Sequence, residues 1–149
     1  MTISIINGPN LNLLGQRNPA IYGNETLQNI IDMLRSNMPG YRFINFQSNF
    51  EGEIIDYIQN ARKDDQIIGI VINPGAFAHY SYAIADAIAD FNKPIVEVHI
   101  SNIHAREEFR RHSVTASQVN AVIAGAGTRG YLLAARHVAY LAEIDELPF

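Results

Sequence analysis

Five short apolar runs, alternating with four stretches of helical periodicity, predict an α/β fold whose parallel sheet is covered by helices on both faces. The runs are Ile3–Ile6, Phe43–Phe46, Ile67–Ile72, Ile95–Ile100 and Ala121–Ala124. Most are rich in β-branched or aromatic residues, as strands buried on both faces are. The regular alternation makes a flavodoxin-like strand order the natural candidate, with residues 1–149 as one domain.

The first strand runs into Asn7 to Gly23, NGPNLNLLGQRNPAIYG, a polar segment punctuated by proline and glycine. Connections in compact domains usually span about 4–6 residues, so a loop of this length predicts a lid or binding loop. Gly15 and Gly23 can hinge it, and it carries Arg17 and Tyr22 close together. A phenol ordinarily releases its proton only near pH 10, so a tyrosine that acts as a base needs positive charge beside it. The first helix follows, with Leu27, Ile30, Ile31, Leu34 and Met38 at helical spacing behind Thr26 as N-cap, and Pro39-Gly40 ends it. After the second strand, Ser48-Asn49-Phe50-Glu51 has a capping-box pattern and predicts the start of a helix through Ile54, Ile55, Ile58 and Ala61. The third strand leads through Asn73-Pro74-Gly75 to a helix from about Ser81 to Asp90. The fourth leads to the charged run Arg106 to Arg111, in which at least one arginine is expected to face a ligand. The fifth enters a glycine-rich turn and a final helix from about Arg129 to Glu143.

Bulk composition narrows the chemistry. A chain of 149 residues buries roughly 68–70% of its unfolded surface, enough for a substantial core. Apolar and charged fractions of 48% and 17% are globular values, and the longest aliphatic runs are far too short to span a bilayer. No membrane partner is expected. A net charge of −4 argues against nucleic acid, which selects a basic face. The absence of cysteine excludes thiol nucleophiles, disulfides and thiolate metal sites, and fits a cytoplasmic location.

In open α/β sheets ligands bind beyond the carboxyl ends of the strands. The first strand delivers Asn7 to Asn10 there, the third Asn73 to Gly75 with His79 following, and the fourth Glu97, His99 and Ser101. Amide, imidazole and hydroxyl groups on one edge suit a small polyhydroxylated ligand. In the alternating strand Val96-Glu97-Val98-His99, the carboxylate and the imidazole share a face. A carboxylate can orient an imidazole, whose titration near neutrality suits general acid catalysis. Gly125 to Gly130 matches the dinucleotide fingerprint formally, but too little chain follows for the second strand and its acidic residue, so a tight turn is the expected structure. Lys63 and Lys93 occupy no strand end, which disfavours a Schiff base. His99 and His104 lack the spacing of a metal pair, and His112 and His137 are expected to be ordinary hydrogen-bonded residues. Neither a cofactor nor a metal is expected.

Four blocks, residues 8–23, 48–59, 73–88 and 96–113, resemble in order the signature blocks of the type II 3-dehydroquinate dehydratases. Ala121 and Ala126 depart from the glycine and leucine of that pattern, and the tail after Ala142 matches none of it. The resemblance implies a flavodoxin-like fold and dehydration of 3-dehydroquinate to 3-dehydroshikimate by anti elimination through an enolate, as in aromatic amino acid biosynthesis by the shikimate pathway. It implies Tyr22 as base, Arg17 stabilising the phenolate, Asn10 holding a water against the enolate oxygen, and His99 as acid supported by Glu97. Backbone N–H groups of Ile100 and Ser101, with the Ser101 hydroxyl, would take the substrate carboxylate. Asn73, His79 and Arg110 would take ring hydroxyls, and Asp86 would reach a neighbouring subunit's site in a homododecamer built as a tetramer of trimers. The competing class is a flavodoxin-like module that binds a cofactor or ligand without this activity. It is weakened by the lack of a hydroxyl-rich phosphate loop after the first strand.

Overall fold

The structure, a computed structural model, describes residues 1–144. The tail beyond, which matched no family block, lies outside the described residues. Strands β1 (Thr2–Asn7), β2 (Arg42–Gln47), β3 (Ile67–Asn73), β4 (Ile95–His99) and β5 (Ala121–Ala124) form one sheet in the order β2-β1-β3-β4-β5. Every neighbouring pair is parallel. This is the flavodoxin-like order, and the chain reverses direction across the sheet between β1 and β3. The register aligns Asn7 with Asn73 and His99 with Ala124, so the carboxyl ends of the strands form a common rim.

Alternate strand residues divide the core. Ile3, Ile5, Val71, Val96 and Val98 pack under α2 (Leu27–Asn37) and α5 (Arg129–Ile144). Ile6, Ile70, Ile72 and Ile95 pack under α3 (Glu51–Arg62) and α4 (Tyr82–Ala89). On α2 the buried Ile30, Ile31 and Leu34 contribute about 1.5–3 kcal/mol each. The capping box between Thr26 and Asn29 adds about 1 kcal/mol, so burial of that face stabilises the helix more than its cap does.

The capping box expected at Ser48–Glu51 does not form. Phe50 is the N-cap of α3, which puts Glu51 at the first helical position instead of the third. Ser48 spends its hydroxyl elsewhere, accepting from the Phe50 N–H at 2.9 Å and donating to Glu53. The glycine-rich segment before α5 is a turn, as expected, with Gly125 and Gly127 at positive φ. Among the described residues no helix is long and apolar enough to cross a membrane.

Candidate active site

The rim is held together by close backbone approach. Gly8 donates its N–H to the Asn73 carbonyl at 2.8 Å, and a Cβ at position 8 would sit 2.3 Å from the Pro74 carbonyl oxygen. Only glycine lets the loops after β1 and β3 meet this closely. Asn10 follows in the left-handed region, at φ 67°, a conformation asparagine tolerates, and its N–H is taken by Asn49 Oδ1 at 3.0 Å. The long segment after β1 is ordered into a 3-10 turn at Leu11–Leu13 and a short helix, α1 (Pro19–Tyr22), separated by Gly15 at φ 87° and closed by Gly23 at φ 75°.

A cavity of about 110 Å³ opens between this segment and the rim. It is lined by Asn10, Arg17 and Tyr22 from this segment, Asn73 and His79 after β3, and His99, Ile100, Ser101, Arg106 and Arg110 from β4 onward. Ten residues read from the sequence as site residues therefore come together, nine in the lining and Glu97 directly behind His99. Asp86 does not join them: it lies exposed on α4.

Tyr22 sits between two guanidinium groups, with Arg17 Cζ 5.7 Å and Arg106 Cζ 5.5 Å from its ring centre. Arg106 Nη1 donates to the Tyr22 hydroxyl oxygen at 3.1 Å and to Ser101 Oγ at 3.2 Å. Two guanidinium groups thus flank one phenol, and one of them bonds its oxygen. Across the cavity, His99 Nε2 lies 2.6 Å from Glu97 Oε1. Glu97 is fully buried and His99 is 5% exposed, so the alternation of β4 delivers the pair as expected. A carboxylate in such a place costs several kcal/mol unless donors surround it. The Glu97 contact takes up His99 Nε2, which leaves Nδ1 as the ring nitrogen for the cavity.

Asn73 is locked from two sides. Its Oδ1 accepts from the Gly75 N–H at 3.1 Å, and its Nδ2 donates to the Tyr131 hydroxyl at 2.9 Å. Tyr131, fully buried on α5, donates in turn to Asn7 Oδ1 at 2.6 Å. Burial pushes the Tyr131 phenol above its ordinary range, so it remains a donor. Asn7 thus belongs to this buried network and not to the cavity lining. His79 Nδ1–H donates to the His112 carbonyl at 2.8 Å, and burial holds its imidazole below the ordinary histidine value. The ring is neutral at pH 7, leaving Nε2 as an acceptor. Arg110 bonds Glu107 through Nε and lies 4.7 Å from the Phe109 ring centre. Among the described residues, no backbone carbonyl accepts the N–H of Ile100 or Ser101, which leaves two donors for an anion.

Arg106 is the main residue that sequence reasoning did not single out. It stood as one of three arginines in Arg106 to Arg111, and the irregular 3-10 path there gives no periodicity to rank them. The structure sends Arg106 and Arg110 inward to the cavity. Among the described residues, no group of three or more His, Asp or Glu side chains is arranged to hold a metal ion.

The Dehydroquinase class II family matches residues 1–139. The chain is 54% identical over 136 residues to the 3-dehydroquinate dehydratase of Lachnoclostridium phytofermentans, covering 90% of this chain and 93% of that one. It superposes on the crystal structure of type II dehydroquinase from Butyrivibrio crossotus with a TM-score of 0.89 at 47% identity, over 93% of this chain and 97% of that one. The type II dehydroquinase from Propionibacterium acnes gives 0.85 at 42% identity, over 95% and 96%.

Proposed function

The chain belongs to the class II dehydroquinase family, and from that membership we propose that it dehydrates 3-dehydroquinate to 3-dehydroshikimate with Tyr22 as base and His99 as acid. The observation that carries the residue assignment is the Tyr22 hydroxyl, held by Arg106 at 3.1 Å in the wall of a cavity that His99 also lines. As phenolate, Tyr22 takes the proton from the carbon beside the ketone, and the electron pair moves to the ketone oxygen as an enolate. Asn10, with a bound water, offers that oxygen a donor, the kind of aid that acts where charge develops. The enolate then reforms the ketone and expels the hydroxyl group, which takes the Nδ1 proton of His99 and leaves as water. The proton on Tyr22 returns to His99 through solvent, and the enzyme is restored.

The substrate carboxylate rests on the free N–H groups of Ile100 and Ser101 and on the Ser101 hydroxyl. Asn73, His79 through Nε2, and Arg110 hold ring hydroxyls. No cofactor takes part. The assembly is a homododecamer, a tetramer of trimers, in which Asp86 reaches the site of a neighbouring subunit; its exposure on α4, beside the 69% exposed Tyr82, leaves it free to do so. The reaction belongs to the cytoplasm, which suits a chain without cysteine. The test is ultraviolet absorbance: the product is a conjugated enone and the substrate is not, so purified protein given 3-dehydroquinate should raise it. A flat trace from folded protein would refute the assignment.

A further inference from the structure

The buried carboxylate behind the acid has a second partner. Thr115 Oγ1 lies 2.6 Å from Glu97 Oε2, while Oε1 faces His99 Nε2 at the same distance. Thr115 and Glu97 are both 0% exposed. Thr115 comes from the irregular connection before β5, where nothing in the sequence pattern marks it. That connection is held in place: Val114 donates its N–H to the Ala78 carbonyl at 2.8 Å, and Ala116 donates to Ser113 Oγ at 3.0 Å. Ser113 Oγ also lies 3.3 Å from Thr115 Oγ1.

An ionised carboxylate only accepts, which orders every proton in this chain of contacts. Ser113 donates to Thr115, Thr115 donates to Oε2, and His99 donates to Oε1. We infer that Thr115 is a positioning residue for the acid, whose hydroxyl donates to Glu97 Oε2 and holds the carboxylate in place so that His99 presents Nδ1–H to the leaving hydroxyl. The inference rests on the reading of His99 as the acid. Without the Thr115 proton, a fully desolvated carboxylate would keep one donor and compete for the Nε2 proton. The imidazole would then face the cavity closer to neutral, as a weaker acid, and the pair would give up its proton at higher pH. The other charged or titratable groups around the pair are His79, with its ring 6.4 Å from that of His99, and Arg17, Tyr22, Arg106 and Arg110 in the cavity lining. None of them hydrogen-bonds Thr115, so a substitution there reaches the acid through Glu97.

The experiment is the pH profile of kcat for the wild type, Thr115→Val and Thr115→Ser, with KM recorded alongside. Thr115→Val should lower the plateau about 10- to 100-fold, the range set by losing a hydrogen bond to a charged group. It should move the alkaline limb to higher pH and leave KM within about twofold. Thr115→Ser, which restores the hydroxyl, should recover both plateau and limb. An alkaline limb that stays in place in Thr115→Val, whether or not the protein melts earlier, would overturn the inference, since a merely structural loss lowers the active fraction without moving the limb. If the valine variant does not fold, Thr115→Ala carries the same comparison. An unmoved limb in an active enzyme leaves the dehydratase assignment standing, whereas a wild type that never turns over 3-dehydroquinate removes both.

Discussion

At the scale of single residues, the two sides of the cavity carry opposite electrostatic tasks: Arg17 and Arg106 surround the Tyr22 phenol, and a buried carboxylate backs the His99 imidazole. Acid help is realised in the transition state, so His99→Ala should lower kcat about 10²- to 10⁴-fold while changing KM much less. Steady-state kinetics on the folded variant checks this, and near-normal turnover would assign the acid elsewhere. His79 yields a prediction about stability. Burial lowers its folded-state value below 6.5, so above that pH the ring is neutral in both folded and unfolded chains. As pH falls through 6.5 and on through the folded-state value, the unfolded chain binds the proton more readily and stability is lost. Urea unfolding at pH 7 and pH 5 should show a smaller decrease in His79→Gln than in the wild type; equal decreases would contradict the assignment. The Glu97–His99 pair was legible because strand alternation puts i and i+2 on one face. Arg106, Thr115 and Tyr131 were not, because their contacts span 84, 18 and 58 positions of chain and depend on how irregular or distant elements pack.

At the scale of elements, the lid expected from the sequence is the segment between Gly15 and Gly23. Residues 16–21 are all exposed, and the backbone hydrogen bonds of α1 and the turn before it close within the segment, as in Tyr22 N–H to Asn18 and Gly23 N–H to Pro19. Leu14, 4% exposed, and the Tyr22–Arg106 bond tie it to the body. Few buried contacts and local bonding mark a segment of low local stability. Its hydrogen exchange between Gly15 and Gly23 should therefore be fast in the free enzyme and slow with an enolate mimic bound, because a closed lid excludes water from the phenolate and reopens for product. Exchange unchanged by the ligand would remove the moving lid and leave the base assignment intact. That this loop lines the cavity was readable from its length and punctuation, whereas the start of α3 was misread because the Ser48 hydroxyl had competing partners in the Phe50 N–H and Glu53.

At the scale of the whole molecule, alternation of apolar runs and helical stretches was enough for the parallel sheet, since both faces of every inner strand must be covered. The strand ends then had to converge on one rim, and most of the residues expected there line its cavity. Assembly was not legible in composition, because an exposed carboxylate such as Asp86 looks the same on a monomer surface and at a subunit boundary. In a symmetric oligomer one interface substitution repeats at every site. Asp86→Ala should accordingly lower activity together with the assembled fraction in sedimentation, while an active wild-type monomer would contradict the proposed homododecamer.

The most direct test of the central claim is the initial rate of enone formation by Tyr22→Phe beside the wild type at equal concentrations of folded protein. The substitution removes one oxygen, the atom that would take the substrate proton, and leaves the ring in its place between Arg17 and Arg106. Turnover by Tyr22→Phe should fall to background while substrate or an enolate mimic still binds. Appreciable turnover by the phenylalanine variant would show that the base lies elsewhere.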